Sequence, residues 1–234
     1  MALTMPGAPL PTHIGLILDG NRRWATEQGK PAAVGHAAGA DNLDATIDRF
    51  LARGIPYLTV YAFSTENWKR SAIEVEFLLT LIERRLRERA DHWQSRGVVI
   101  RQMGQFDRLP ASLQRLLSEL TAPSETPARL TLTFCLSYGG RDELRRAIQR
   151  LIERGVGRAE LTEEIVAGAL DSAGLPDPDL IIRTSGEQRL SGFLTWQSVY
   201  SELYFAPCHW PDFDEAALDA ALTWYAERQR RYGK

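Results

Sequence analysis

The chain is poor in cysteine, in histidine and in net charge. It has two cysteines in 234 residues, Cys135 and Cys208, and two thiols make no disulfide framework. Both lie in apolar stretches, which reads as buried free thiols in a reducing, cytoplasmic compartment. His13, His92 and His209 are scattered without metal-ligand spacing, which argues against a zinc-type site and leaves them structural. Lys and Arg number 28 against 30 Asp and Glu, a formal net charge of −2, so no global field draws the chain to nucleic acid or to an anionic membrane. No apolar run is long enough to span a bilayer. Walker and G-x-G-x-x-G sequences are missing, as are internal repeats and low-complexity tracts. Residues 1–12, MALTMPGAPLPT, lack the basic and apolar regions of a secretory signal and read as a flexible lead, with 13–234 as one domain.

What is present is ordinary for a globular chain, 44% apolar and 25% charged, and is arranged in alternation. Strands are expected at Ile14–Leu18, Tyr57–Phe63, Val98–Met103, Leu130–Leu136, Leu180–Arg183 and Glu202–Phe205. Helices are expected at about Ala33–Arg53, Ala72–Ser95, Ala111–Thr121, Arg141–Glu153, Thr162–Ala173 and Glu215–Tyr232. Pro123–Pro127 reads as a loop. This order implies an α/β fold, a mostly parallel central sheet flanked by helices. On the second expected helix, Ala72–Ser95, Val75, Leu78, Leu79, Ile82 and Leu86 recur at helical spacing, a face for core packing or for the wall of an apolar groove.

Three polar clusters sit at expected strand ends, where open α/β sheets bind ligands. In the first, Asp19-Gly20-Asn21-Arg22-Arg23 follows the apolar run Ile14–Leu18. Gly20 permits close backbone approach, the amides after it can face an anion, and a carboxylate among arginines suits a metal–phosphate site. The second is Tyr61–Arg70, with Asn67 three residues before Arg70. The third, Arg183 to Ser191, puts two arginines and a serine around a Ser-Gly turn, a cradle for a second phosphate group. Each cluster taken alone also fits an ordinary solvated turn.

HIGLILDGNRRWA, YAFSTENWKR, SYGGRDEL, RTSGEQRLSGFLTWQSVYSELYF and WPDF, in this order, resemble the motifs of the cis-prenyltransferases, the undecaprenyl diphosphate synthase group. The resemblance spans His13 to about Gly233. It implies Mg²⁺-dependent condensation of isopentenyl diphosphate onto an allylic diphosphate with a new cis double bond, by a homodimer with an apolar tunnel above the sheet. It makes Asp19 the essential carboxylate, handling Mg²⁺ and the leaving diphosphate, and Glu202 a second Mg²⁺-site carboxylate. Asn67 matches the residue that helps remove the proton. Gly20, Asn21, Arg22, Arg23, Trp24, His36, Ser64, Thr65, Glu66, Trp68 and Arg70 fall in the allylic diphosphate region, and Arg183, Arg189, Leu190 and Ser191 in the isopentenyl diphosphate site. The tail Arg231-Tyr232-Gly233 matches a motif that reaches the partner subunit's diphosphate site.

The chain departs from the family pattern at several positions. Arg22 stands where glycine is frequent. Ala32 stands where many members place an arginine against the allylic diphosphate, and Arg22 or Lys30 are the available substitutes. Ser137 and Gly192 replace frequent asparagines. Ala62, small and at the tunnel entrance by resemblance, and Leu130, near its floor, favour a medium or long undecaprenyl-like product for a cell-wall lipid carrier, with peripheral membrane contact on its release. A short-chain Z-prenyl product is the alternative. A non-catalytic prenyltransferase subunit and a nucleotide-binding α/β protein are disfavoured, the first because Asp19 and the arginine clusters survive.

Overall fold

A computed structural model describes residues 10–122 and 128–228. The first nine residues of the expected lead, the loop 123–127 and the tail motif at Arg231 to Gly233 lie outside the described residues.

Apolar runs bounded by turn residues form six strands: β1 (His13–Ile17), β2 (Tyr57–Ser64), β3 (Val98–Met103), β4 (Leu130–Tyr138), β5 (Leu180–Arg183) and β6 (Glu202–Phe205). They hydrogen-bond in the order β3-β4-β2-β1-β5-β6, every pair parallel. Because helices cover both faces, β1 and β5 are buried at every position, as strands inside a parallel sheet should be. The helices are α1 (Asn21–Glu27), α2 (Ala32–Arg53), α3 (Ala72–Ser95), α4 (Ala111–Leu120), α5 (Gly140–Glu153), α6 (Glu163–Ala167) and α7 (Glu215–Ala226). Side-chain caps start several of them: Ser71 accepts from the Glu74 amide before α3, and Asp214 from the Ala217 amide before α7.

The main core joins Ile47 and Phe50 of α2, Leu86 and Trp93 of α3 and Leu113 and Leu117 of α4 to Ile14, Leu16, Leu58 and Leu132 of the sheet. On the other face Ile17, Cys135, Tyr138 and Ile181 pack with Phe193. Cys135 is buried and Cys208 half-buried, both free thiols. From β1 the chain moves to β2 on one side, and later to β5 on the other. That reversal opens a crevice beyond the carboxyl ends of β1, β2 and β5, where Ile17 lies level with both Tyr61 and Arg183.

One expected helix is cut short. Thr162–Ala173 reads as a continuous helical pattern, yet α6 stops at Ala167. The amides of Ala169 and Leu170 bond three residues back, to Val166 and Ala167, which tightens the chain. Asp171 is captured by α5 instead: its carboxylate takes Arg146 at 2.5 and 2.8 Å and Arg150 at 3.1 Å, and its amide donates to Glu143 Oε1 at 3.0 Å. These contacts override the local helical pattern.

His13 gives the fold a pH dependence. Its ring is buried, with Nδ1 2.7 Å from the Pro176 carbonyl and Nε2 2.8 Å from Thr59 Oγ1. Burial pushes its pKa below the ordinary value, more than the Pro176 and Asp179 oxygens raise it. The unfolded chain therefore binds the proton more readily, so stability is full at alkaline pH and falls as pH drops through about 6.5. Urea midpoints should be lower at about pH 5.5 than at about pH 8, and His13→Gln should flatten part of that difference. An equally steep difference in the variant would remove His13 as its source.

Candidate active site

The crevice is built outward from the end of β1. The Thr184 hydroxyl after β5 accepts from the Asp19 amide at 3.0 Å and donates to its carbonyl at 2.6 Å, which fixes the turn. Gly20 follows with φ of 105°, and a side chain there would strike His209 Nδ1 at 2.6 Å and Ser185 Oγ at 2.8 Å. His209 braces the turn from behind, bonded to Ser185 Oγ at 2.6 Å and to Glu27 at 3.0 Å. Asn21 then seats against glycines of α2. A Cβ on Gly35 would lie 1.9 Å from the Asn21 carbonyl oxygen, and one on Gly39 2.3 Å from its Oδ1.

Asp19 is held between two guanidiniums, Arg183 at 2.8 Å and Arg23 at 3.1 Å. Burial raises its pKa, but Arg183 and Arg23 outweigh burial and hold the carboxyl below its usual range. Arg183 is itself buried and also donates to Ser191 Oγ at 2.9 Å and to the Arg189 carbonyl at 2.5 Å. Glu187 bridges the rim, 3.2 Å from Arg23 and 2.5 Å from Arg189. Ser185 and Ser191 both take positive φ, 75° and 52°, each followed by a glycine that does the same. Uncommon backbone of this kind gathers at ligand sites.

On the opposite wall Arg22 and Arg70 meet on Glu74, at 2.6 and 3.0 Å. His36 lies beside them. Burial lowers its pKa, Arg70 and Arg22 lower it further, and the ring is neutral near pH 7. A cavity of about 240 Å³ is lined by Asp19, Gly20, Arg22, Arg23, His36 and Arg70. A second, apolar cavity of about 180 Å³ adjoins it, lined by Leu43, Ala62, Leu78, Leu86 and Phe134 among others. Leu18, Asn21, His36 and Arg70 line both. Asn21 Oδ1 and His36 Nε2 are buried at this junction with no hydrogen-bond partner among the described residues.

The structure thus brings together Asp19, Gly20, Asn21, Arg22, Arg23, His36 and Arg70, with Arg183, Arg189 and Ser191 at one rim and Asn67 and Ala62 along the apolar cavity. Other residues face elsewhere. Trp24 donates to Asp212 at 2.8 Å, outside the cavities. Trp68 donates to Ser137 Oγ at 2.9 Å and packs edge-on against Phe63. Ser137 has φ of 51°, a conformation that the frequent asparagine tolerates better. Ser64 caps the turn Thr65–Lys69 and Thr65 donates to Glu66 at 3.1 Å. Leu190 packs on the Phe193 side of the sheet. Lys30 is no substitute for the arginine missing at Ala32: its ammonium bonds Gln28 and lies over Trp24. Leu130 is buried at the start of β4 and does not line the cavity.

Glu202 is not brought to Asp19. It pairs with Leu180, at the amino end of parallel strands, whereas Arg183 pairs with Phe205. Three residues of strand separate those levels, about 10 Å, and Asp19 lies farther still. A lone glutamate after a loop carries no sign of which end of a strand it occupies.

Glu74, Glu187 and Thr184 escape a reading of the sequence. Only Glu74 leaves a trace there, the Ser71-x-x-Glu74 spacing of a helix start. Among the described residues no three His, Cys, Asp or Glu side chains gather into a metal cage. Mg²⁺ needs less, one or two carboxylates completed by phosphate oxygens and water, and a half-exposed, ionised Asp19 beside an anion cavity fits that requirement.

A family model described as putative undecaprenyl diphosphate synthase matches residues 17–233. The chain belongs to that prenyltransferase family. An isoprenyl transferase of Lactococcus lactis is 45% identical over 228 residues, covering 96% of this chain and 93% of the relative. Lavandulyl diphosphate synthase from Lavandula x intermedia, solved with dimethylallyl diphosphate, superposes with a TM-score of 0.90 at 35% identity, covering 96% of this chain and 99% of that one. A probable undecaprenyl diphosphate synthase from Campylobacter jejuni superposes at 0.80 with 30% identity, covering 97% and 99%. This prenyltransferase is accordingly a transferase of the cis-prenyltransferase fold.

The contact of Asn21 with α2 generates a prediction. Gly39→Ala should push the Asn21 side chain out of the junction, cost about 1–3 kcal/mol of stability in urea unfolding and lower transferase turnover. Unchanged stability and turnover would show that α1 yields freely.

Proposed function

We propose that this prenyltransferase joins isopentenyl diphosphate to a short allylic diphosphate, forming a cis double bond. The supporting observation is the junction of an arginine-lined cavity with an apolar one at the carboxyl ends of β1 and β2. A molecule with an anionic head and a hydrocarbon tail fits such a junction. In this reading Arg22, Arg70 and His36 receive the allylic diphosphate, with Asn21. Arg183, Arg189 and Ser191 hold the isopentenyl diphosphate across Asp19. Leaving-group charge grows as the allylic carbon–oxygen bond breaks and the diphosphate departs with the electron pair, and fixed guanidiniums stabilise it there. The isopentenyl double bond supplies the electrons of the new carbon–carbon bond, and the proton lost from the adjacent carbon passes to a diphosphate oxygen. Asn67 Oδ1 accepts from the Ser64 amide at 3.0 Å, so its free NH₂ is a donor that positions a diphosphate rather than a base. Asp19 would hold Mg²⁺, which when bound neutralises part of the diphosphate charge.

The apolar cavity supports a short tail. Its volume of about 180 Å³ is close to the ~150 Å³ that encloses one benzene, so it accepts one or two isoprene units. Ala62 leaves the entrance open, as the long-chain expectation requires, but Trp93 and Phe134 close the far end. An undecaprenyl-like product would need α2 and α3 to part, for a gain of about 4 kcal/mol per buried isoprene. The neighbour solved with a five-carbon allylic diphosphate supports the same choice. Exposed Ile148 and Ile152 on α5 support a homodimer, and no described helix is long and apolar enough to cross a membrane, which suits peripheral contact at most.

Purified protein with Mg²⁺, labelled isopentenyl diphosphate and five-, ten- and fifteen-carbon allylic diphosphates tests this reading, with products sized by chromatography. Asp19→Ala should lower turnover by orders of magnitude while the chain stays folded. Arg189→Ala should raise the KM for isopentenyl diphosphate more than that for the allylic substrate, and Arg70→Ala should lower kcat as well as allylic affinity. Normal turnover in Asp19→Ala at saturating Mg²⁺ would refute the assignment, and purely allylic defects in both arginine variants would refute the two-site map.

A further inference from the structure

The apolar cavity does not end in an apolar wall. Asp44 of α2 and Arg85 and Trp93 of α3 line its far end together with Leu86 and Phe134. Trp93 is buried and donates its indole N–H to Asp44 Oδ1 at 3.1 Å, and its ring stacks on Phe134 with centroids 6.3 Å apart. The other Asp44 oxygen lies 3.2 Å from Arg89 Nε. One turn nearer the mouth Arg85 pairs with Asp41, and beyond the floor Arg96 pairs with Asp48. Three acid–arginine rungs therefore tie α2 to α3 along the side that a growing tail would have to open. The Nε atom of Arg85 is buried and lacks a hydrogen-bond partner among the described residues.

We propose that Trp93, latched by Asp44 and backed by Arg85, is the stop that sets product length in this prenyltransferase. The proposal rests on the prenyl-transfer reading above. Hydrocarbon reaching this floor meets more than bulk. To pass, it must break the indole–carboxylate hydrogen bond and lie against a carboxylate and a guanidinium that it cannot pair. Burying charge without a partner is costly, so the gain from burying another isoprene is offset where the charges begin. A purely steric floor would yield to side-chain repacking, whereas a latched one yields only when the latch is removed. Asp44 acts through the ring it holds and is a positioning residue. Trp93 is the group the tail meets.

The test measures binding and needs no turnover. Unreactive thiolodiphosphate analogues with tails of ten, fifteen and twenty carbons are titrated by calorimetry into wild type, Trp93→Leu, Trp93→Phe and Asp44→Asn. Wild type should bind the ten-carbon analogue on the order of tenfold more tightly than the twenty-carbon one. Trp93→Leu should remove that difference. Trp93→Phe, which keeps the ring and loses the N–H, should reduce it. Asp44→Asn keeps an acceptor for the indole but loses the charge, and should reduce the difference less than Trp93→Leu does. In parallel, products of Trp93→Leu should lengthen by at least one isoprene unit. Wild type and Trp93→Leu binding all three analogues with one shared length profile would overturn the stop and leave the transfer reading intact. Wild type binding none of the analogues would overturn both.

Discussion

The buried pair between Arg183 and Asp19 is the contact on which the active edge depends. Arg183 ends β5 with its guanidinium almost wholly inside the protein, and a charge in that position must be paired and hydrogen-bonded or neutralised. Its two terminal nitrogens meet that demand by reaching Asp19 after β1, Ser191 Oγ and the Arg189 carbonyl, while Nε has no hydrogen-bond partner among the described residues. Two loops far apart in sequence are thereby locked to one strand end. The left-handed backbone at Ser185 and Ser191 persists because these bonds, and the bond from the Ser185 amide to the Cys208 carbonyl at 2.7 Å, over-determine it.

Asp19 gains as much from the pair as Arg183 does. A carboxylate at a strand end, half shielded from water, would otherwise drift toward protonation. Flanked by Arg183 and Arg23 it stays ionised, which a hard-cation ligand must be. Beyond the residues it shares with the anion cavity, the apolar cavity is built on the opposite rule, lined mostly by small and aliphatic groups with no further charge until Asp44 and Arg85. The four residues common to both cavities, Leu18, Asn21, His36 and Arg70, are where head and tail of an amphipathic ligand would divide.

Most of the fold is legible in the sequence because strands of a parallel sheet announce themselves locally, as HIGLI and LIIR do. The strand-end clusters are legible for the same reason, since Asp19 and Arg183 each follow an apolar run directly and Arg70 lies seven residues beyond Phe63. Pairings are less visible. Arg22 and Glu74 are 52 residues apart, and nothing local says that Arg22 turns toward α3 while Lys30 turns onto Trp24. The helix expected over Thr162–Ala173 ends early because Asp171 is claimed by α5, and the place of Glu202 at the amino end of β6 is invisible because motif order does not state which end of a strand a residue occupies. Trp24 and Trp68, inside recognisable motifs, line neither of the two cavities at the active edge, Trp24 bonding Asp212 and Trp68 bonding Ser137.

The mouth also carries an excess of positive charge. Five guanidiniums, those of Arg22, Arg23, Arg70, Arg183 and Arg189, share three carboxylates, Asp19, Glu74 and Glu187. The molecule carries a formal charge of −2, so this positive pool is local and sits on an otherwise slightly anionic surface. A multiply charged phosphate therefore completes the ion-pair lattice of the mouth and takes over arginines that Glu74 and Glu187 now occupy. Substrate capture becomes a counterion exchange. It should weaken with ionic strength even where no hydrocarbon contact changes, and each bound head group should add to the thermal stability of the chain that holds it.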